Sequence, residues 1–271
     1  MPEVRVNDIQ LYYEMHGQGE PLVLIMGLGT NAHGWDMQIP TFSREFQVVA
    51  FDNRGCGRSD KLASPCSTRL FADDTAGLMD ALGIAAAHVY GVSMGGMIAQ
   101  ELALSYPQRV WTLVLGATSC GGPQAIDVSP EQLALIVSLS RLGLEEAAEK
   151  TLPLLYSDEF IAQKRQKLIA RALAQAELRS PPEAFARQLQ AIMRHNAYDR
   201  LPQLRCPTLI IRGSEDKIIP AENSSILAGR IPGAELVVLP KAGHGYVVEC
   251  AEESNAIVLD FLRRHRSRPV N

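Results

Sequence analysis

His88-Val89-Tyr90-Gly91-Val92-Ser93-Met94-Gly95-Gly96-Met97 carries the most information in this chain. Within it, positions 91–95 read Gly-x-Ser-x-Gly, a pattern that glycine and serine produce often by chance. Its flanks make it specific. Residues 88–90 read as a strand, and the Ala-rich stretch 97–105, ending before Pro107, reads as a helix. A strand passing directly into a helix through a serine needs a sharp, strained turn with small neighbours. Gly91 and Gly95 let strand and helix approach while Ser93 projects its hydroxyl. A serine hydroxyl is a poor nucleophile near neutral pH, so it needs a base, and the base needs an orienting acid.

Those partners are expected after later strands, acid first and histidine second. The apolar run 208–211 is followed by Arg212-Gly213-Ser214-Glu215-Asp216-Lys217, and the run 235–239 by Lys241-Ala242-Gly243-His244-Gly245. Of the six histidines, His244 alone occupies such a loop, whereas His88 opens an inner strand and reads as structural. Asp216 is favoured as the acid over Glu215, which reads as a surface charge. An acyl-transfer site also needs donors for the developing oxyanion, each worth about 3 kcal/mol. The N–H of Met94, directly after Ser93, is one candidate; Leu28 N–H, in the Gly27-Leu28-Gly29 loop after another apolar run, is the second.

The rest of the chain fits an alternating α/β pattern. Val4, Val6, Ile9, Leu11 and Tyr13 alternate around Asn7-Asp8, which predicts a β-hairpin. Apolar runs at 22–26, 47–51, 88–92, 112–115, 208–211 and 235–239 suit strands buried on both faces. Helical spacing at 71–82, 97–105, 221–228 and 251–264 separates them, predicting a mostly parallel sheet covered on both sides. Residues 121–200 break the pattern with four helical stretches, 130–142, 145–154, 158–177 and 182–196. The expected organisation is a core of residues 1–120 and 201–271 with a helical lid, 121–200, between its halves.

Composition bounds the partners. The chain has 271 residues, 46% hydrophobic and 21% charged, with a net charge of −4, so nucleic acid is excluded as an expected partner. The short basic run Arg263-Arg264-His265-Arg266 reads as the solvated end of the last helix. No apolar run approaches bilayer length, no signal segment is visible, and no membrane association is expected. Five scattered cysteines (Cys56, Cys66, Cys120, Cys206, Cys250) lack metal-ligand spacing and read as free thiols of a reducing cytoplasm, with a Cys56–Cys66 pairing left open. No metal and no organic cofactor is implied.

Met26-Gly27-Leu28-Gly29, Asp52-Asn53-Arg54-Gly55-Cys56-Gly57-Arg58-Ser59, the 91–96 turn, 213–220 and Ala242-Gly243-His244 together make the chain resemble the α/β-hydrolase superfamily over nearly its whole length. The resemblance implies acyl transfer to Ser93, with His244 as base and Asp216 as its orienting acid. Two positions depart from the family pattern: Met26 replaces the usual histidine before Gly27, and Cys56 replaces a histidine in the 52–59 loop. Within the superfamily the chain is most similar to enol-lactonases and small-ester hydrolases, through Ser93-Met94-Gly95-Gly96-Met97, Leu28-Gly29-Thr30 and Trp35. Perhydrolases and carbon–carbon bond hydrolases share much of this pattern, and a receptor that kept the fold without turnover is the non-enzyme alternative. Trp35, Met97 and Tyr246 are expected to line the substrate pocket, and Arg194, beside His195 at the end of the lid, to meet an anionic substrate. The expected substrate is a small ester or lactone.

Overall fold

A computed structural model describes residues 2–61 and 64–266. The N-terminal alternation forms β1 (Glu3–Val6) and β2 (Ile9–His16), with Val6 opposite Ile9. That leaves Asn7-Asp8 as a two-residue turn, and Asn7 takes φ 51°, a left-handed conformation that asparagine tolerates. There follow β3 (Glu20–Ile25), α1 (Ile39–Phe42), β4 (Phe46–Phe51), α2 (Thr68–Ala81), β5 (Ala87–Val92), α3 (Met94–Ser105) and β6 (Val110–Gly116). Four helices come next: α4 (Pro130–Leu139), α5 (Leu144–Leu155), α6 (Asp158–Leu173) and α7 (Pro182–Met193). The chain then returns to β7 (Thr208–Gly213), α8 (Glu222–Arg230), β8 (Glu235–Leu239), α9 (Tyr246–Glu249) and α10 (Ala251–Arg264).

The eight strands form one sheet in the order β1-β2-β4-β3-β5-β6-β7-β8. Strands β1 and β2 pair antiparallel, as do β2 and β4; every later pairing is parallel. Successive side chains along a strand point to opposite faces, and the core divides accordingly. Val23, Ile25, Val89 and Leu113 pack with Ile98 and Leu102 on one face. Leu22, Leu24, Tyr90 and Val114 pack with Trp35, Val258 and Phe261 on the other. Both faces of β3, β5, β6 and β7 are covered, which is why these strands read as unbroken apolar runs; β8, expected to be buried on both faces, lies at the sheet's edge and leaves Leu236 and Val238 exposed.

Chain direction across the sheet reverses at β3. From it the chain goes outward to β4 and then returns to β5 on β3's other side. The loops leaving the carboxyl ends of β3 and β5 therefore part in opposite directions and leave a crevice between them. Helix α3 begins at Met94, three residues earlier than the sequence pattern predicts, so the turn after β5 is shorter than expected.

Helix caps set the limits of the inserted helices. Ser129 and Gln132 form a reciprocal capping box on α4, and the Ser157 hydroxyl accepts from Phe160 N–H at the start of α6. The basic run near the C-terminus is a paired helix end: Arg264 binds Glu235 and Asp260, while Arg263 and Arg266 bind Glu45. All five cysteines are free thiols. No helix among the described residues is long and apolar enough to cross a membrane.

Candidate active site

Ser93 is the single residue between β5 and α3, with φ 57° and ψ −121°. A side chain in that region carries backbone strain, which persists only where surroundings enforce it. Here Ser93 N–H donates to Gly116 O at 2.8 Å, and Thr118 Oγ1 donates to Ser93 O at 2.8 Å. The two glycines of the motif have a steric reason. A Cβ at Gly91 would lie 2.1 Å from Gly95 O, and one at Gly95 would lie 2.0 Å from Ile25 O.

Beyond β7, Asp216 turns its carboxylate inward, where the side chain is 1% exposed. Oδ1 accepts from Ile218 N–H at 2.8 Å and Ile219 N–H at 2.9 Å. Both carboxylate oxygens also reach His244 Nδ1, at 2.8 and 3.0 Å. An acid there fixes the imidazole with its proton on Nδ1, so Nε2 carries the free lone pair a base requires. The loop carrying His244 is itself pinned: Gly243 N–H donates to Glu249 Oε2 at 2.8 Å, and Gly245 N–H to Leu155 O at 2.6 Å. Glu249 also takes the Ser157 hydroxyl and N–H, tying this loop to the α5–α6 connection. Glu215, in contrast, is exposed, and its backbone N–H donates to Ala242 O at 2.8 Å.

Ser93 and His244 line one cavity of about 680 Å³, together with Leu28 and Met94. Thr30 N–H donates to Gly27 O at 3.3 Å, closing a four-residue turn whose third residue, Gly29, has φ 66°. Positive φ at that place is the type II pattern. The turn lies over the serine: a Cβ at Gly27 would stand 3.1 Å from Ser93 Cβ. Met94 heads α3, where the first amide hydrogens have no intrahelical acceptor.

Met97 lines this cavity as expected, but three other sequence-based contacts do not. Trp35 is fully buried, its ring tilted against that of Tyr90 with centroids 4.9 Å apart. Tyr246 is also fully buried, its hydroxyl 2.7 Å from that of Tyr90, in space that Gly116 leaves by having no side chain. Arg194 caps the C-terminal end of α7 and points to solvent. Its neighbour His195 turns the other way, into the wall of the cavity. Phe185, Tyr156 and Arg171 from the inserted segment also line the cavity, which sequence reasoning missed.

A family model described as the alpha/beta hydrolase fold matches residues 20–249. The chain belongs to the α/β-hydrolase fold family. The hydrolase is 32% identical over 258 residues to a putative carbamate hydrolase RutD of Caulobacter sp. strain K31, covering 93% of this chain and 95% of the relative. It is 33% identical over 272 residues to a 2-hydroxy-6-oxononadienedioate/2-hydroxy-6-oxononatrienedioate hydrolase of Burkholderia vietnamiensis strain G4, covering 95% and 92%. Among solved structures, the enol-lactonase of Burkholderia xenovorans LB400 superposes with a TM-score of 0.87 at 28% identity, covering 97% and 100%.

Burial holds two side chains of this hydrolase neutral near pH 7. Burial pushes the Cys56 thiol up to about 12, so the residue in the departing loop position stays protonated. His195 is 2% exposed, its Nδ1 3.0 Å from Thr68 Oγ1 and 3.6 Å from Glu101 Oε1. Burial pulls its ring down to about 4, against the opposing pull of Glu101, so it stays neutral near pH 7. Beneath the site, Asp52 gathers Ala32 N–H at 2.7 Å, Arg58 N–H at 2.8 Å and the Arg58 guanidinium, knitting the two loops together.

Proposed function

We propose that this hydrolase cleaves a small carboxylic ester or lactone through an acyl-enzyme on Ser93. The observation that carries the reading is the Asp216–His244 pair opening onto the same cavity as a strained Ser93 at the head of a helix. Ser93 Oγ attacks the carbonyl carbon while His244 Nε2 takes its proton, and Asp216 steadies the imidazolium. The carbonyl oxygen gains charge and is held by the Leu28 and Met94 N–H groups. Collapse expels the alkoxide, which leaves with the proton from His244. Water then attacks the acyl carbon with His244 again as base, and Ser93 is regenerated. The α4–α7 segment acts as a lid over the acyl group, and the remainder as the catalytic core.

The cavity's lining supports the substrate class. Met97, Leu133, Leu154, Phe185 and Ile192 make it mainly apolar. Arg171 is its guanidinium, and both terminal nitrogens already reach Asp36, Nη2 at 2.6 Å. That pairing favours a neutral acyl group over the extended dienol acid of a carbon–carbon hydrolase. A perhydrolase would use the same three residues, with hydrogen peroxide in place of water.

The test is a fluorophosphonate probe followed by peptide mapping, alongside rates on p-nitrophenyl acetate through palmitate and on small lactones. Label on Ser93 alone is expected, lost in Ser93→Ala, with short esters or lactones turned over best. A folded Ser93→Ala protein that keeps full ester hydrolysis would refute the mechanism, and peroxide-driven halogenation without ester hydrolysis would replace it with the perhydrolase.

A further inference from the structure

Gln188 is an amide 1% exposed on α7, and both ends of its side chain are committed. Its Nε2 donates to Arg54 O at 2.8 Å, on the loop beneath the site, and its Oε1 accepts from Gly29 N–H at 2.9 Å. Gly29 is the third residue of the turn that presents Leu28. Type I and type II turns differ by a flip of their central peptide, here the one joining Leu28 to Gly29. The N–H of that peptide is the group Gln188 holds. Its carbonyl, Leu28 O, accepts only a long bond from Thr30 Oγ1, at 3.3 Å.

We infer that Gln188 is a positioning residue for the oxyanion hole: by tying the Leu28–Gly29 peptide to α7 and to the Arg54 loop, it fixes where the 27–30 turn, and with it Leu28 N–H, stands relative to the reacting carbonyl. The inference rests on the serine-hydrolase reading above and adds to it a residue from the inserted helices. Arg54 O anchors the donor end of the amide, so the acceptor end has one direction open to it, toward Gly29. A neighbour seals the arrangement: a Cβ on Gly29 would meet the Phe185 ring at 2.9 Å, so α7 packs on the turn as well as bonding to it. Placing the helix and setting the donor are one event. An enzyme whose α7 is displaced loses the geometry of the hole with its hydroxyl, imidazole and carboxylate still in register.

A double-mutant cycle separates this from a general packing role. Leu28 is the second residue of the turn, where proline is accommodated, so Leu28→Pro deletes the N–H and keeps the backbone path. Gln188→Met keeps the side-chain volume and removes both hydrogen bonds. Deleting an oxyanion donor costs about 10²–10³ in kcat, and misdirecting it is expected to cost about 10- to 100-fold with KM within about threefold. On the Leu28→Pro background the same Gln188→Met change is expected to cost less than about threefold, because the donor it aims is already gone. Affinity for a trifluoromethyl ketone, which forms a tetrahedral adduct, should fall with kcat, while that for butyrate should hold. Equal losses from Gln188→Met on both backgrounds, or no loss on either, overturn the inference. If Leu28→Pro is itself harmless, the assignment of the hole fails first. Should Gln188→Met not fold, amide exchange of wild-type Gly29 decides: protection is expected, and exchange at the rate of an open loop overturns the proposal.

Discussion

Replacing His195 by phenylalanine removes a neutral, buried imidazole, and the change should be read in how stability responds to acid. In the folded chain burial pulls His195 down to about 4, whereas in the unfolded chain it titrates near its ordinary value of about 6.5. Between those values the unfolded chain binds a proton that the folded chain does not. Acid therefore draws the equilibrium toward unfolding across that window, and the effect saturates below the folded value. The full difference corresponds to about 3 kcal/mol, of which about 2 kcal/mol is reached between pH 7 and pH 4.5. With a urea slope of about 2–3 kcal/mol per molar, the unfolding midpoint of wild type should fall by roughly 1 M more than that of His195→Phe over this interval. The comparison of slopes cancels any constant cost of leaving Thr68 without its ring partner. Parallel wild-type and variant curves from pH 7 to 4.5 would refute a buried neutral histidine at this position.

Three further outcomes follow from contacts described above. Asp216→Asn should lower kcat by about 10³–10⁴ through the wrong tautomer, and Glu215→Gln by less than about twofold; a reversal in steady-state rates would move the acid to Glu215. Gly116→Ala should destabilise the fold by about 1–3 kcal/mol through overpacking, since its Cβ would stand 2.1 Å from Tyr246 Oη. Tyr246→Phe should relieve part of that cost in the double variant, and strict additivity in urea melts would count against the contact. Asp36→Asn releases Arg171 inside the cavity, so KM for a hemisuccinate ester should fall relative to the matched butyrate ester by at least about threefold. Unchanged relative KM would mean that Arg171 does not face the acyl group.

The placement of Ser93, Asp216 and His244 was legible because each follows an apolar run that forms a strand, so strand and motif position the side chain together. The sheet was legible for a related reason: strands covered on both faces leave uninterrupted apolar stretches. Side-chain direction across the sheet was not. Trp35 and Tyr246 flank the mouth in sequence, but their rings pass to the face that also holds Tyr90. Arg194 and His195 are adjacent, yet the end of α7 sends one to solvent and the other inward. Arg171 sits among Lys164, Arg165 and Lys167 and reads as part of a solvated helix. Its partner Asp36 is 135 residues away, a distance no local pattern spans. Gln188 had no signal at all, since a glutamine in an amphipathic helix is ordinary until both ends of its amide find partners.

The bonds from Gly243 and Gly245 to Glu249 and Leu155 bear on how such enzymes are rebuilt by recombination. The helical segment enters and leaves the sheet at two points, which invites grafting it whole from one relative onto another. The backbone carbonyl of Leu155 travels with the graft, but Glu249 stays behind in the recipient, and the histidine loop is suspended from both. A transplant that ends α5 one residue early or late would shift that carbonyl by about 1.5 Å along the helix axis. The chimera would fold with an intact sheet and a displaced His244 loop, so register at the end of α5 is the quantity to conserve at the seam.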